Sequence, residues 1–358
     1  MKFFHLADLH LGKSVYEHSL LPDQRHFLDQ VTAAVRAESP AAVIIAGDVF
    51  DRAVPPPEAV RLFGDFLAEL KACDSALVIA VIPGNHDSAA RLSFASGILG
   101  LSGVHIRADA KDAVIPITVQ HGGEQARLWL LPFLSPGALP SEMLATENRL
   151  SGPLESSSAE PGLLRSQADL FSAAISMIHA AMAACPVDPG LSASRKGSAD
   201  ILVCHAFATG GSTGESERVF LGSAELVDPV LFDTFDYVAL GHLHRCQAAG
   251  ATGMYAGSPI AYAFSEGELD RGFLVVEVHP GSCSSRLRTL EPLRRMVRLS
   301  GSYDQVLQDP RWREYEGDYI EAILDDADAV LNPMGPLRER FPYLLSLKQA
   351  ALDRKSVV

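Results

Sequence analysis

Asp8, His10, Asp48, Asn85, His86, His205, His242 and His244 are the residues of this chain whose types and spacing could act together. They sit in Asp8-Leu9-His10, Gly47-Asp48-Val49-Phe50-Asp51, Gly84-Asn85-His86-Asp87, a single His205, and Gly241-His242-Leu243-His244. Mixed carboxylate, carboxamide and imidazole donors suit manganese, iron or zinc better than calcium, which prefers oxygen alone. A carboxylate has two oxygens and can bridge two cations, so Asp48 is the natural centre. Two such cations activate a water and brace an in-line displacement at phosphorus. A lone DxH or GHxH is a weak signal, and a single histidine is more often a surface or core residue than a ligand. The joint occurrence of all five motifs is what points to a two-metal hydrolase.

The elements that must position these residues can be read around them. Short apolar runs at Lys2–Leu6, Ala42–Ala46, Leu77–Ile82, Ile201–Cys204 and Tyr237–Leu240 read as strands, and each stops at one of the motifs. In α/β sheets such strand ends gather at one rim, where these folds place their sites. Helical periodicity covers Pro22–Ala37, Glu58–Leu70, Ala89–Leu101 and Leu163–Ala184, and Pro55-Pro56-Pro57 marks a stiff loop and a helix start. Further strands are expected at Arg127–Leu131, Gly253–Tyr255, Gly272–Val278 and Arg286–Leu290. Ser151–Gly162 is rich in Ser, Pro and Gly and reads as a mobile surface loop, and Cys185–Ser198 reads as loop. After Glu291-Pro292, strands at Arg295–Leu299, Tyr319–Leu324 and Tyr343–Leu347 alternate with helices near Tyr303–Gln308 and Pro333–Arg340. That is a small β-α-β-α-β unit.

Composition narrows the setting. A length of 358 residues suits about two domains, and 47% hydrophobic content is ordinary for a soluble globular protein. No apolar run reaches about eighteen residues, so no membrane span is expected. Asp8 and His10 stand where a signal peptide would carry its apolar stretch. Five scattered cysteines without a CxxC pair favour reduced thiols in the cytoplasm. The net charge of −14 counts against strong nucleic-acid binding by the chain alone, although bound divalent cations would add positive charge that this count omits.

The order of motifs resembles the calcineurin-like metallophosphoesterase superfamily. Within it, MKFFHLADLHLG, AGDVFDR, PGNHDS, CHAFATGG followed by Gly214-Glu215-Ser216-Glu217-Arg218, FDYVALGHLHRCQ and YAGSPIAYAFSE resemble the SbcD-type nuclease subunits, over about Met1 to Lys348. The resemblance implies a layered α/β metallophosphoesterase sandwich over residues 1–290. It implies a small α/β capping domain over 291–358. It also implies that Asp8, His10, Asp48 and His244 hold one divalent metal, that Asp48, Asn85, His205 and His242 hold the other, and that the metal is manganese. His86 would protonate or stabilise the leaving 3′ oxygen, and Asp51 would orient His86.

The implied activity is hydrolysis of DNA phosphodiester bonds, as a double-strand 3′-5′ exonuclease and a single-strand or hairpin endonuclease, in DNA repair, recombination and replication. The implied partners are DNA, a second copy of the chain and an SbcC-type ATPase in a heterotetramer with two D subunits. Helices Glu58–Leu70 and Ala89–Leu101 are the expected dimer contacts. Family members continue into helices that bind the ATPase. This chain stops at Val358, and Asp353–Val358 back-translates to a common adapter read, so truncation is expected. Asp48-Val49-Phe50-Asp51-Arg52 also mimics the phosphatase signature GDxxDRG, but Ala53 replaces its last glycine and the third motif is GNHD instead of GNHE. A phosphatase, a cyclic-nucleotide phosphodiesterase and a non-catalytic scaffold are the alternative readings.

Overall fold

The structure, a computed structural model, describes residues 1–135, 137–139, 166–184, 198–213 and 226–350. The expected loop Ser151–Gly162, most of the Cys185–Ser198 stretch, the Gly214–Arg218 motif and Asp353–Val358 lie outside the described residues.

The five strands that end in the motifs are β1 (Lys2–Leu6), β2 (Ala42–Ala46), β3 (Val78–Ile82), β4 (Ser198–His205) and β5 (Tyr237–Gly241). They divide between two six-stranded sheets. In the first, β1, β2, β3 and Val104–Ile106 run parallel, and the antiparallel hairpin Gly272–His279 and Ser282–Thr289 closes the β1 side. In the second, Glu124–Leu131, β4, β5 and Gly253–Tyr255 run parallel, with Ile117–His121 and Gln247–Ala249 as antiparallel edges. Gln247–Ala249 is only three residues long and Ile117–His121 carries just two aliphatic side chains, so neither stands out in the sequence.

Strand side chains alternate between two destinations, which is why these runs are apolar throughout. Phe3, Ile44, Ala46, Ala80 and Ile82 face Leu128, Leu130, Ile201, Val203 and Ala239 across the gap between the sheets. On the outer face of the first sheet, Phe4, Val43, Ile45 and Val81 pack on helices α1 (Leu21–Glu38) and α2 (Pro57–Cys73) through Phe27, Val31, Phe63 and Phe66. On the outer face of the second, Trp129, Leu202, Cys204 and Leu240 meet Phe171, Ala174 and Ile178 of helix α3 (Gln167–Ala184). The result is a helix–sheet–sheet–helix sandwich.

The expected helix Ala89–Leu101 is two short helices, Ala89–Leu92 and Ser96–Leu101, broken where Ala95 adopts φ +59°. Leu92 is buried while Phe94, Ile98 and Leu101 point to solvent, and Gly97 and Gly100 weaken helix propensity in the second half. Farther on, Met296–Gly301, Tyr319–Leu324 and Leu344–Gln349 form a separate three-stranded parallel sheet. With helices Tyr303–Gln308 and Met334–Arg340 it buries its own cluster around Leu299, Val306, Ile320 and Phe341. It meets the sandwich where the Tyr319 hydroxyl donates to Asp23 Oδ2 at 2.6 Å and the His18 ring lies edge-on to Tyr319 and Tyr343, 5.2 and 5.6 Å between centroids.

One polar pair is sealed between the sheets. His5 Nδ1 lies 2.9 Å from the Tyr237 hydroxyl, and burial pushes the imidazole pKa down from its ordinary 6.5 to about 3. A base with a lowered folded pKa contributes stability that is present above its unfolded pKa and is lost as pH falls. Between pH 6.5 and about 3 the unfolded chain therefore takes a proton that the folded chain refuses. His5→Gln is expected to flatten the acid side of the stability profile by about 1 kcal/mol per pH unit over this window. Urea midpoints of both proteins measured from pH 7 to 5 check this, and equal slopes would refute it.

Candidate metal centre

The carboxyl ends of β1 to β5 meet at one rim, and the loops beyond them are zipped together by main-chain bonds. Asp8 N donates to Gly47 O at 3.1 Å, His10 N to Asp48 O at 2.9 Å, and Leu11 N to Val49 O at 2.9 Å. The parallel pairing of β1 and β2 thus continues through the first two motifs. Two glycines let the other loops close in. A Cβ on Gly84 would lie 2.2 Å from Asp48 Oδ1, and one on Gly47, at φ +92°, would lie 2.2 Å from His205 Nδ1. Both contacts are far inside van der Waals range, so these positions require glycine.

The backbone is strained at the proposed ligands. Asp8 (φ +54°), His10 (+42°), Asp48 (+49°) and His242 (+108°) all occupy the positive-φ region that side-chain-bearing residues avoid. Such residues cost about 1–3 kcal/mol each and persist only where the surroundings hold them. Their concentration in one cluster marks the site independently of residue type.

The side chains form two adjoining groups. His10 Nε2 and His244 Nε2 are 3.0 Å apart, and Asp8, His10 and His244 offer donor atoms within 4.8 Å of one another. His205 Nε2 and His242 Nδ1 lie 3.0 and 3.1 Å from Asn85 Oδ1. Between the groups stands Asp48, whose Oδ2 is 3.7 Å from His10 Nε2 and 3.6 Å from His205 Nε2. Its Oδ1 accepts the His86 amide at 2.9 Å, and Asp8 Oδ1 accepts the His242 amide at 3.0 Å. Asp8, His10, Asp48, His205 and His244 are all buried.

These donors fit divalent cations. Burial lowers the pKa of His10 and His205, with neighbouring imidazoles adding to the effect at both, and Asp48 opposing it at His205. Burial, then His205, pushes His242 down to about 3. The rings are therefore unprotonated at neutral pH, the form that coordinates metal. His205 Nδ1 donates to the Ala46 carbonyl at 2.8 Å, which leaves its Nε2 lone pair facing Asp48 and Asn85.

His86 and Asp51 meet through the Asp51 main chain. The group at His86 Nδ1 is the Asp51 main-chain carbonyl, at 2.8 Å. The Asp51 carboxylate instead takes Lys13 Nζ at 2.8 Å and lies 3.6 Å from His10 Nδ1. Asp51, His10 and His86 still offer donor atoms within 4.8 Å of one another.

Two supporting residues were not singled out from sequence. Asp87 accepts the amides of Val49, Phe50 and Gly84 at 3.0, 2.9 and 2.9 Å, tying the loop after β3 to the loop after β2. Burial, then the charge of Asp48, raises its pKa to about 7. Its adjacency to Asn85-His86 was the available signal. Gln24 on α1 donates to His10 O at 2.7 Å and accepts Gly12 N at 2.9 Å, and nothing local in the sequence marks it.

The calcineurin-like phosphoesterase pattern matches residues 1–246, and the chain belongs to that family of phosphoester hydrolases. It is similar to the D subunit of the SbcCD nuclease of Staphylococcus saprophyticus, at 28% identity over 355 residues, covering 99% of this chain and 86% of that protein. Among solved structures, TT1561 of Thermus thermophilus aligns at 13% identity with a TM-score of 0.42, over 80% of this chain and 98% of that one. A dimetal phosphatase from Danio rerio aligns with the same identity, TM-score and coverage.

The position of Asp48 between the two groups gives a direct test of whether it bridges two ions. Asp48→Asn keeps the shape but removes the charge shared by both groups, so elemental analysis is expected to find most bound metal gone and hydrolysis of every phosphoester abolished. Two ions still bound per mutant chain would refute the bridge.

Proposed function

We propose that this chain is the nuclease subunit of an SbcCD-type complex and hydrolyses DNA phosphodiester bonds with two divalent metal ions, most suitably manganese. The observation that carries the reading is the Asp48 carboxylate set between two groups of Asp, Asn and His donors, and similarity to an SbcCD nuclease chain along nearly the whole length supports the choice of substrate. Asp8, His10, Asp48 and His244 would hold one ion, and Asp48, Asn85, His205 and His242 the other. Bound there, the ions supply an activated water and neutralise charge on the phosphoryl oxygens. Cleavage as a 3′-5′ exonuclease and as a hairpin endonuclease, in DNA repair, recombination and replication in the cytoplasm, belongs to the same proposal.

His86 is the proton donor in this scheme. The Asp51 carbonyl accepts from Nδ1 in either charge state of the ring, so Nε2 is left to carry the proton to the leaving 3′ oxygen. Residues 291–358 would act as a capping domain, and an SbcC-type ATPase in a heterotetramer with two D subunits would supply the cations that a chain of net charge −14 lacks for gripping a duplex. Homodimerisation is supported by Phe94, Ile98 and Leu101, which are 82, 72 and 90% exposed on one short stretch that follows the Gly84–Asp87 motif in the chain. No helix among the described residues is long and apolar enough to cross a membrane.

The deciding experiment is manganese-dependent digestion of end-labelled duplex DNA with and without the ATPase, beside a phosphoprotein and a cyclic dinucleotide. Preference for either of the latter would move the assignment to a phosphatase or cyclic-nucleotide phosphodiesterase. His86→Gln is expected to keep both metals and lose about 10² to 10⁴ in cleavage rate. Loss of metal in parallel with activity would make His86 a ligand instead. For the dimer, sedimentation of the wild type should give twice the chain mass and Phe94→Asp should shift it to the monomer. A wild type that sediments as a monomer would refute the dimer.

A further inference from the structure

Behind His244 lies a buried charged pair to which the metal reading assigns no task. Glu266 is 2% exposed, and its Oε2 faces Arg271 Nη2 at 3.1 Å. The Tyr262 amide donates to the same oxygen at 3.0 Å. The other oxygen, Oε1, lies 3.9 Å from His244 Nδ1. Arg271 Nη1 donates to the His244 carbonyl and to the Ser258 hydroxyl, and the Ser258 amide donates to that carbonyl at 3.0 Å. Tyr262 completes the support, with its hydroxyl bonded to Leu9 O and its ring edge-on to His10 and His244 at centroid distances of 5.5 and 5.9 Å. One network therefore holds the main chain of His244, flanks its ring and backs His10.

Sealing an ion pair away from water gains little net stability, because desolvation offsets the attraction. The direction of the His244 ring suggests what the pair does instead. Nε2 points into the site, 3.0 Å from His10 Nε2, and Nδ1 points toward Glu266. A carboxylate on the Nδ1 side favours the tautomer protonated there, which leaves the Nε2 lone pair free. The 3.9 Å separation is about 1 Å beyond a direct hydrogen bond, a gap that one bridging water or a small rotation spans.

We propose that Glu266, braced by Arg271 and the Tyr262 amide, is the positioning carboxylate of His244, holding a proton on Nδ1 so that Nε2 is open to a divalent cation. The inference rests on the two-metal reading of the site. A merely structural Glu266 would support the loop without altering metal affinity.

Calorimetric titration of the metal-free full chain with Mn²⁺ separates these cases. Wild type is expected to bind two ions per chain, and Glu266→Gln to bind one of them about 10- to 100-fold more weakly with the other unchanged. Glu266→Asp should recover part of the loss. Wild-type affinities in Glu266→Gln would overturn the proposal and leave the two-metal reading standing, whereas a wild type that takes up fewer than two ions would overturn that reading and the proposal with it. Should Glu266→Gln fail to fold, ¹⁵N-histidine spectra of metal-free wild type decide the matter. A proton on His244 Nδ1 is expected, and a proton on Nε2 refutes the role.

Discussion

The hydrogen bond from His205 Nδ1 to the Ala46 carbonyl joins the two sheets at the point where chemistry is placed. Ala46 is the last residue of β2, and His205 the last of β4, so the bond spans the sandwich at its rim. It fixes the imidazole tautomer and the spacing between the donor groups together. Asp48 follows two residues after Ala46, and its carboxylate reaches a position shared by His10 from one sheet and His205 from the other. Behind the rim, Ile44, Ile82, Val203 and Ala239 form an apolar wall between the sheets. Close-packed interiors transmit small shifts, so the ligand spacing inherits the rigidity of that wall.

Positive backbone torsions at Asp8, His10, Asp48 and His242 show how this rigidity is used. An unsupported loop would relax them. Here each is countered by bonds across the rim, from Asp8 N to Gly47 O, from His10 N to Asp48 O, and from the His242 amide to the Asp8 carboxylate. Asp8 and Asp48 therefore serve both as ligand candidates and as hydrogen-bond acceptors that hold the neighbouring loop. The strain is a cost borne by the sandwich, and it leaves the donors preorganised for cations.

Much of this is legible in the chain itself. Strand-end motifs are local, so the five site-bearing strands and every proposed ligand can be picked out from apolar runs that end in Asp, Asn or His, three of them through a glycine. Whether the runs formed one sheet or two was not legible, because strands buried on both faces look alike wherever they sit. The break at Ala95 has no sequence signal, because alanine rarely adopts a left-handed torsion and nothing about it marks the exception. Partners distant in sequence were equally hidden. Gln24 reaches His10, and Lys13 captures the Asp51 carboxylate, through folded geometry alone. Glu266 sat within a family-like stretch, yet only its approach to His244 gives it a chemical meaning.

Asp87 shows how the acidic character of the site is tied to its order. Its carboxylate is buried beside Asp48, and burial followed by that neighbouring charge raises its pKa to about 7. Three amides from two loops nevertheless converge on it, an arrangement that serves an ionised acceptor best. Asp87 thereby ties the loop after β3 to the loop after β2 right beside Asp48, so the carboxylate that stands between the two donor groups has its place fixed by a second carboxylate that gathers main-chain amides.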